Sequence, residues 1–284
     1  MRVPIRSIYV LVLALTGCSA CKPPVTAQPE ITLPVQHVIP DSGHAPPFAQ
    51  MPYEAFARVD AVAIAEQEWR LFGERVDDNP PPPGGYIPPP GDDPSRAPGL
   101  WERIGEYWWL GQDADQPQSA WTGMHDENGN EFDESQADYF AWSAAFISYI
   151  MRTAGAGARF PYAPSHYVYI DIGKEMKMGL TSGWVVVAQP VDGYAPKPGD
   201  LICYSRELYK LTYDMLPRQS FAAHCDIVVA RGNQQISVIG GNVDHAVTMK
   251  HVPVTPDGLL ADPGGQVLDP RYPWMVVLQI LYDR

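Results

Sequence analysis

The sequence predicts an α+β domain behind a processed leader and a tether, and three observations carry that expectation. Helical periodicities occupy the chain up to Met178, whereas short β-type runs fill the part beyond Gly183, and segregation of helices from strands is the α+β pattern. Of 30 prolines, 18 precede residue 100, which assigns much of the first third to irregular chain. The 284 residues are 45% hydrophobic and 11% aromatic, enough for one sizeable core. The formal charge of −13 repels phosphate backbones, so no nucleic-acid partner is expected.

Arg2 and Arg6 precede an apolar run from Ile8 to Leu15, too short to span a bilayer, which needs about 20 apolar residues. Residues 1–17 therefore read as a cleaved export signal. The sequence Leu15-Thr16-Gly17-Cys18 resembles the bacterial lipobox, which implies lipidation at Cys18 and a membrane partner through that anchor. Removing the leader deletes two arginines and no acid, so acyl chains rather than charge must hold the protein at a membrane. Ser19 at the following position implies the outer membrane, facing the periplasm. Residues 18–52, rich in Pro, Ala and polar residues, read as a flexible tether.

The domain is expected over residues 53–284. Apolar spacing predicts a helix between Tyr53 and Gly73, with Gly73 as its stop. A proline-rich insertion follows at 77–99, holding Pro80–Pro83 and Pro88–Pro90, either a surface excursion or a partner-recruiting tract. Leu100 to Leu110 predicts an aromatic helix, and Asn128-Gly129 a tight turn. Trp142 to Ala154 predicts a core helix with a single apolar stripe, ended by Gly155. Another helix is expected from His166 to Met178 with Ser165 as its cap. Strands are expected at Trp184–Ala188, Leu201–Ser205, Cys225–Arg231, Ile236–Ile239, Ala246–Val254 and Met275–Tyr282.

The segment Trp142-Ser143-Ala144-Ala145-Phe146-Ile147-Ser148-Tyr149 resembles the nucleophile helix of bacterial papain-like amidohydrolases of the CHAP and NlpC type. Pro198-Gly199-Asp200-Leu201-Ile202 is similar to their strand entry, Ala223-His224-Cys225-Asp226-Ile227 to their histidine strand, and Ile239-Gly240-Gly241-Asn242 to the polar turn after it. With Trp121-Thr122-Gly123 and the stretch from Phe160 to Ile170, the chain resembles the bacterial family called domain of unknown function 2272 over roughly residues 55–284. This resemblance implies a papain-like fold with helices packed on an antiparallel sheet. It also implies that Cys203 and Cys225 lie on paired strands, where a disulfide or two buried free thiols are both open.

The resemblance places Ser143 where the hydrolases carry cysteine. A thiol with a pKa of about 8.5 is readily driven to thiolate, whereas a hydroxyl needs general-base help in the transition state. Two readings stay open. In the first, Ser143 is the nucleophile, His224 its base and Asn242 or Asp226 the group that aligns the imidazole, acting on peptidoglycan or another envelope peptide. In the second, the same groove only binds a peptide or partner, using Trp121, Tyr139 and Trp142 as aromatic walls. His166 and Asp226 are further candidate contacts in the groove. Strand alternation turns Cys225 away from His224, so it is not expected to replace the missing thiol. No histidine pair has zinc-helix spacing, and no metal or other cofactor is expected.

Overall fold

Helices and strands fall in the predicted order. The computed structural model describes residues 55–80, 86–89, 91–111, 122–126, 128–133, 136 and 139–283. All lie in one compact unit, Phe48–Arg284. The expected leader, the lipidation site Cys18, the tether, Trp121 and part of the proline tract lie outside the described residues. Among the described residues four α-helices, α1 (Arg58–Leu71), α2 (Leu100–Gly111), α3 (Ser143–Thr153) and α4 (His166–Met178), precede six strands. These are β1 (Val186–Gln189), β2 (Leu201–Ser205), β3 (Ala223–Arg231), β4 (Gln235–Val243), β5 (Ala246–Pro253) and β6 (Trp274–Ile280). They form one sheet in the order β1-β6-β2-β3-β4-β5, every neighbouring pair antiparallel.

Alternation along the strands sorts the core onto the two faces of this sheet. Leu201, Cys203, Cys225, Ile227, Val276 and Leu278 face the helices and share their core. Ile202, Val228, Val238 and Val277 face the other way, under Leu260, Ala261 and Tyr272 from the connection between β5 and β6. Cys203 and Cys225 stand opposite one another on β2 and β3 and are disulfide-bonded. The bond lies in the helix-facing core, so neither sulfur is a nucleophile. Among the described residues no helix is long and apolar enough to cross a membrane.

Two helices pack differently from the sequence expectation. The packing face of α1 is Ala61, Ala65 and Glu68, while Val59 and Leu71 are exposed. Small residues on that face let α1 lie close to its neighbours. Gly73 adopts a φ of 86° just past the helix, a stop that a side chain would strain. Helix α3 has no polar stripe: every residue from Ser143 to Met151 is buried, because α1, α2 and the sheet surround it. Glu68, fully buried, ties the three helices together. It accepts from Arg103 Nε at 2.8 Å, from the Tyr107 hydroxyl at 2.6 Å and from the Tyr149 hydroxyl at 3.3 Å.

Candidate functional site

Ser143 is the first residue of α3, and Trp142 before it is an anchor rather than a groove wall. Its ring is buried against Phe72, Tyr107 and Phe146 at centroid separations of 5.8, 5.7 and 6.4 Å. That packing fixes where the helix begins and therefore where the Ser143 hydroxyl sits. The first backbone hydrogen bond of the helix runs from Phe146 N–H to Trp142 C=O. Among the described residues the N–H groups of Ser143, Ala144 and Ala145 have no such partner, which leaves partial positive charge at the serine.

The hydrogen bond of Ser143 goes to His166, the residue that opens α4: Oγ lies 2.7 Å from Nε2. On the other side of that ring, Nδ1 bonds the hydroxyl of Tyr169, one helical turn further along α4. His166 thus occupies the position expected for His224. The His224 ring stands behind it, 5.3 Å from the His166 ring between centroids, and makes no hydrogen bond to Ser143.

His224 is the second residue of β3, and Asp226 shares its face of the strand. Nε2 of His224 donates to Asp226 Oδ1 at 2.9 Å. Asp226 is thus the group that holds the imidazole. Asn242, its expected orienter, sits at a register shift in β4 with a φ of 55° and lines a cavity of about 10 Å³ beside Trp142. Ile239-Gly240-Gly241-Asn242, expected as a polar turn, lies within β4; the turn is Asp244-His245, between Val243 and Ala246. The glycines have a steric reason. A Cβ on Gly240 would stand 1.9 Å from Asp226 Oδ1 and 2.9 Å from His224 Nε2, and one on Gly241 would strike Phe146 at 2.6 Å. Gly123 is under the same pressure, since its Cβ would meet the Ser95 carbonyl oxygen at 1.8 Å.

Behind Asp226 lies Lys250 of β5, fully buried, with Nζ 2.7 Å from Oδ2. The ammonium also faces the ring of Tyr272 at 4.7 Å and those of Tyr204 and Trp274 at 5.8 Å each. Burial works against ionisation of Asp226, but Lys250 and then His224 overcome it and hold the carboxyl below the usual carboxylate range. Burial lowers His224, with Asp226 pulling the other way. Burial, and next the neighbouring His224, lowers His166 well below the ordinary imidazole range. Both rings are therefore neutral near pH 7. An ionised carboxylate can only accept, so the proton of His224 is on Nε2 and the lone pair on Nδ1. That is the electronic state of a general base.

Tyr139, the other described candidate, and the other histidines described have different surroundings. Tyr139 is 79% exposed. His245 Nδ1 bonds Asp93 Oδ2 at 3.0 Å, His251 Nδ1 bonds Asp78 Oδ2 at 2.8 Å, and His125 Nδ1 lies 3.3 Å from Thr122 Oγ1. Asp126 closes the Asn128-Gly129 turn, with Oδ1 accepting from the backbone of Asn128 and Asn130. Lys250 and Tyr169 are the members of the cluster that sequence reasoning missed. Tyr169 carried one signal, its spacing of three from His166 on a predicted helix; Lys250 carried none, because a lysine in a strand reads as solvent-facing.

Fold and site together define an α+β domain in which a serine, two histidines and a lysine-paired aspartate converge. Residues 95–280 match the family described as uncharacterized protein conserved in bacteria, domain of unknown function 2272, and the chain belongs to that family. No curated protein and no solved structure matches the chain.

Proposed function

We propose that this protein is a cell-envelope lipoprotein, anchored through Cys18 and facing the periplasm from the outer membrane. Its domain is of the papain-like, amidohydrolase type and acts by acyl transfer on peptidoglycan or other envelope peptides. The observation that carries the reading is the Asp226–His224 pair, 2.9 Å apart, which leaves His224 neutral with its lone pair on Nδ1 and its ring 5.3 Å from that of His166, the hydrogen-bond partner of the helix-opening Ser143. In the reaction, Ser143 Oγ forms a bond to the amide carbonyl carbon while its proton passes to His224 Nδ1, through rotation of the hydroxyl or one bridging water. Asp226 stabilises the resulting imidazolium. The imidazolium then protonates the departing amine as the C–N bond breaks, and water hydrolyses the acyl-serine by the reverse proton path.

One observation weighs against catalysis and so favours a second reading, a silent domain of the same fold, in which a peptide or partner would bind outside the closed cluster. Ser143, His166 and His224 are 8%, 4% and 4% exposed, and the cavity next to Trp142 holds no more than a water. Digestion separates the two. Purified protein incubated with peptidoglycan should release new amine termini, Ser143→Ala should release none, and Ser143→Cys should retain or raise the yield. Intact peptidoglycan after incubation with both the wild type and Ser143→Cys removes the hydrolase reading. Loss of fatty-acid labelling in Cys18→Ala tests the anchor.

A further inference from the structure

Of the two rings in the cluster, that of His166 is the one hydrogen-bonded to Ser143, and the buried phenol of Tyr169 decides where that ring carries its proton. Tyr169 is fully buried, and among the described residues its hydroxyl has one hydrogen-bond partner, Nδ1 of His166. A phenol has a single proton to place. Were Nδ1 protonated and donating to the phenol oxygen, the phenol proton would be buried without an acceptor, the costlier of the two possible defects. With the phenol donating to Nδ1 that proton is satisfied, and a neutral ring must then carry its own proton on Nε2. Nε2–H points at Ser143 Oγ, 2.7 Å away.

We propose that His166 is a fixed hydrogen-bond donor to the oxygen of Ser143 and not its base, and that Tyr169 is the positioning residue that sets this tautomer. The catalytic part of the inference rests on the hydrolase reading above; the tautomer does not. When the Ser143 proton leaves for His224 Nδ1, charge grows on Oγ, and a donor already aimed at that atom stabilises it without reorganisation. Burial and the neighbouring His224 keep His166 from taking up a second proton, so the donor stays a neutral imidazole. The two histidines therefore have separate roles, His166 holding the oxygen and His224 taking the proton. A base at His166 would need the opposite tautomer, which leaves the Tyr169 proton stranded.

The test is the imidazole nitrogen resonances of isotope-labelled full-length protein at neutral pH, assigned with His166→Gln and His224→Gln. Both rings are expected neutral with the proton on Nε2. In Tyr169→Phe, Nδ1 of His166 loses its donor, so its resonance should move toward that of a lone-pair nitrogen without a hydrogen bond while His224 stays as it was. An Nδ1–H or doubly protonated His166 in the wild type, or an Nδ1 resonance indifferent to Tyr169→Phe, overturns the inference. Acylation of Ser143 reports separately on the hydrolase reading. An Nε2–H ring beside an inert serine would sink that reading and leave the tautomer standing, and the converse result would sink the tautomer alone.

Discussion

Lys250→Met is the perturbation that the structure weighs most fully. The ammonium it removes sits 2.7 Å from Asp226 Oδ2, both side chains have no solvent exposure, and methionine nearly fills the space among Tyr204, Tyr272 and Trp274. Packing therefore changes little while a buried carboxylate loses its counter-charge, a change that costs about 3–5 kcal/mol. For a domain of this size each kcal/mol moves the midpoint by about 2–4 °C, so the expected fall in Tm at pH 7 is about 6–20 °C. The pH dependence fixes the cause. In the wild type the Asp226 carboxyl is held below 3.8, its unfolded value, so its contribution is present above that pH and fades as pH falls through the folded value. Without Lys250, burial is opposed by His224 alone, so the carboxyl moves up from its wild-type position and the stability that depends on its ionisation, present above the folded value, is reduced. The deficit of the variant should therefore shrink toward acid pH. Lys250→Met/Asp226→Asn should regain part of it, because an amide is neutral and still accepts from His224. Thermal melts across pH supply the readout. A Tm change under about 2 °C at pH 7, or a deficit that grows toward acid, would refute the electrostatic reasoning.

Gly240→Ala should lose about 1–3 kcal/mol to overpacking and also separate His224 from Asp226, seen in chemical denaturation together with a changed His224 titration. The Cys203–Cys225 bond closes a separation of 22 residues and should contribute about 3 kcal/mol by chain entropy. Cys203→Ala/Cys225→Ala should lower the denaturation midpoint accordingly, and the unfolded wild type should give neither thiol until a reductant is added.

Hydrophobic periodicity was sufficient for the order of elements, although not for the packing faces of α1, which buries Ala61, Ala65 and Glu68, or of α3, which is buried on all sides. The ends were less legible. Strand β3 starts at Ala223, two residues before its apolar run, since His224 pairs across to Tyr204 although it is polar. Strand β4 runs on through Gly240-Gly241, which look like turn residues but are small because Asp226 and Phe146 approach them from opposite faces. Within the site, the shared face of His224 and Asp226 follows from a spacing of two. The meeting of Ser143 with His166 does not, since it depends on how α3 and α4 dock. Lys250 was hidden for a different reason: its burial depends on an aspartate two strands away and on three rings from β2, β6 and the preceding loop.

The central claim is that Ser143 accepts an acyl group with His224 as its base, and covalent capture tests it without knowledge of the natural substrate. Intact mass of the protein after exposure to a serine-reactive phosphonate should show one adduct, mapped to Ser143, formed faster as pH rises through the His224 titration and abolished in His224→Gln. An unmodified Ser143 in the wild type, or labelling that persists undiminished in His224→Gln, would contradict the account.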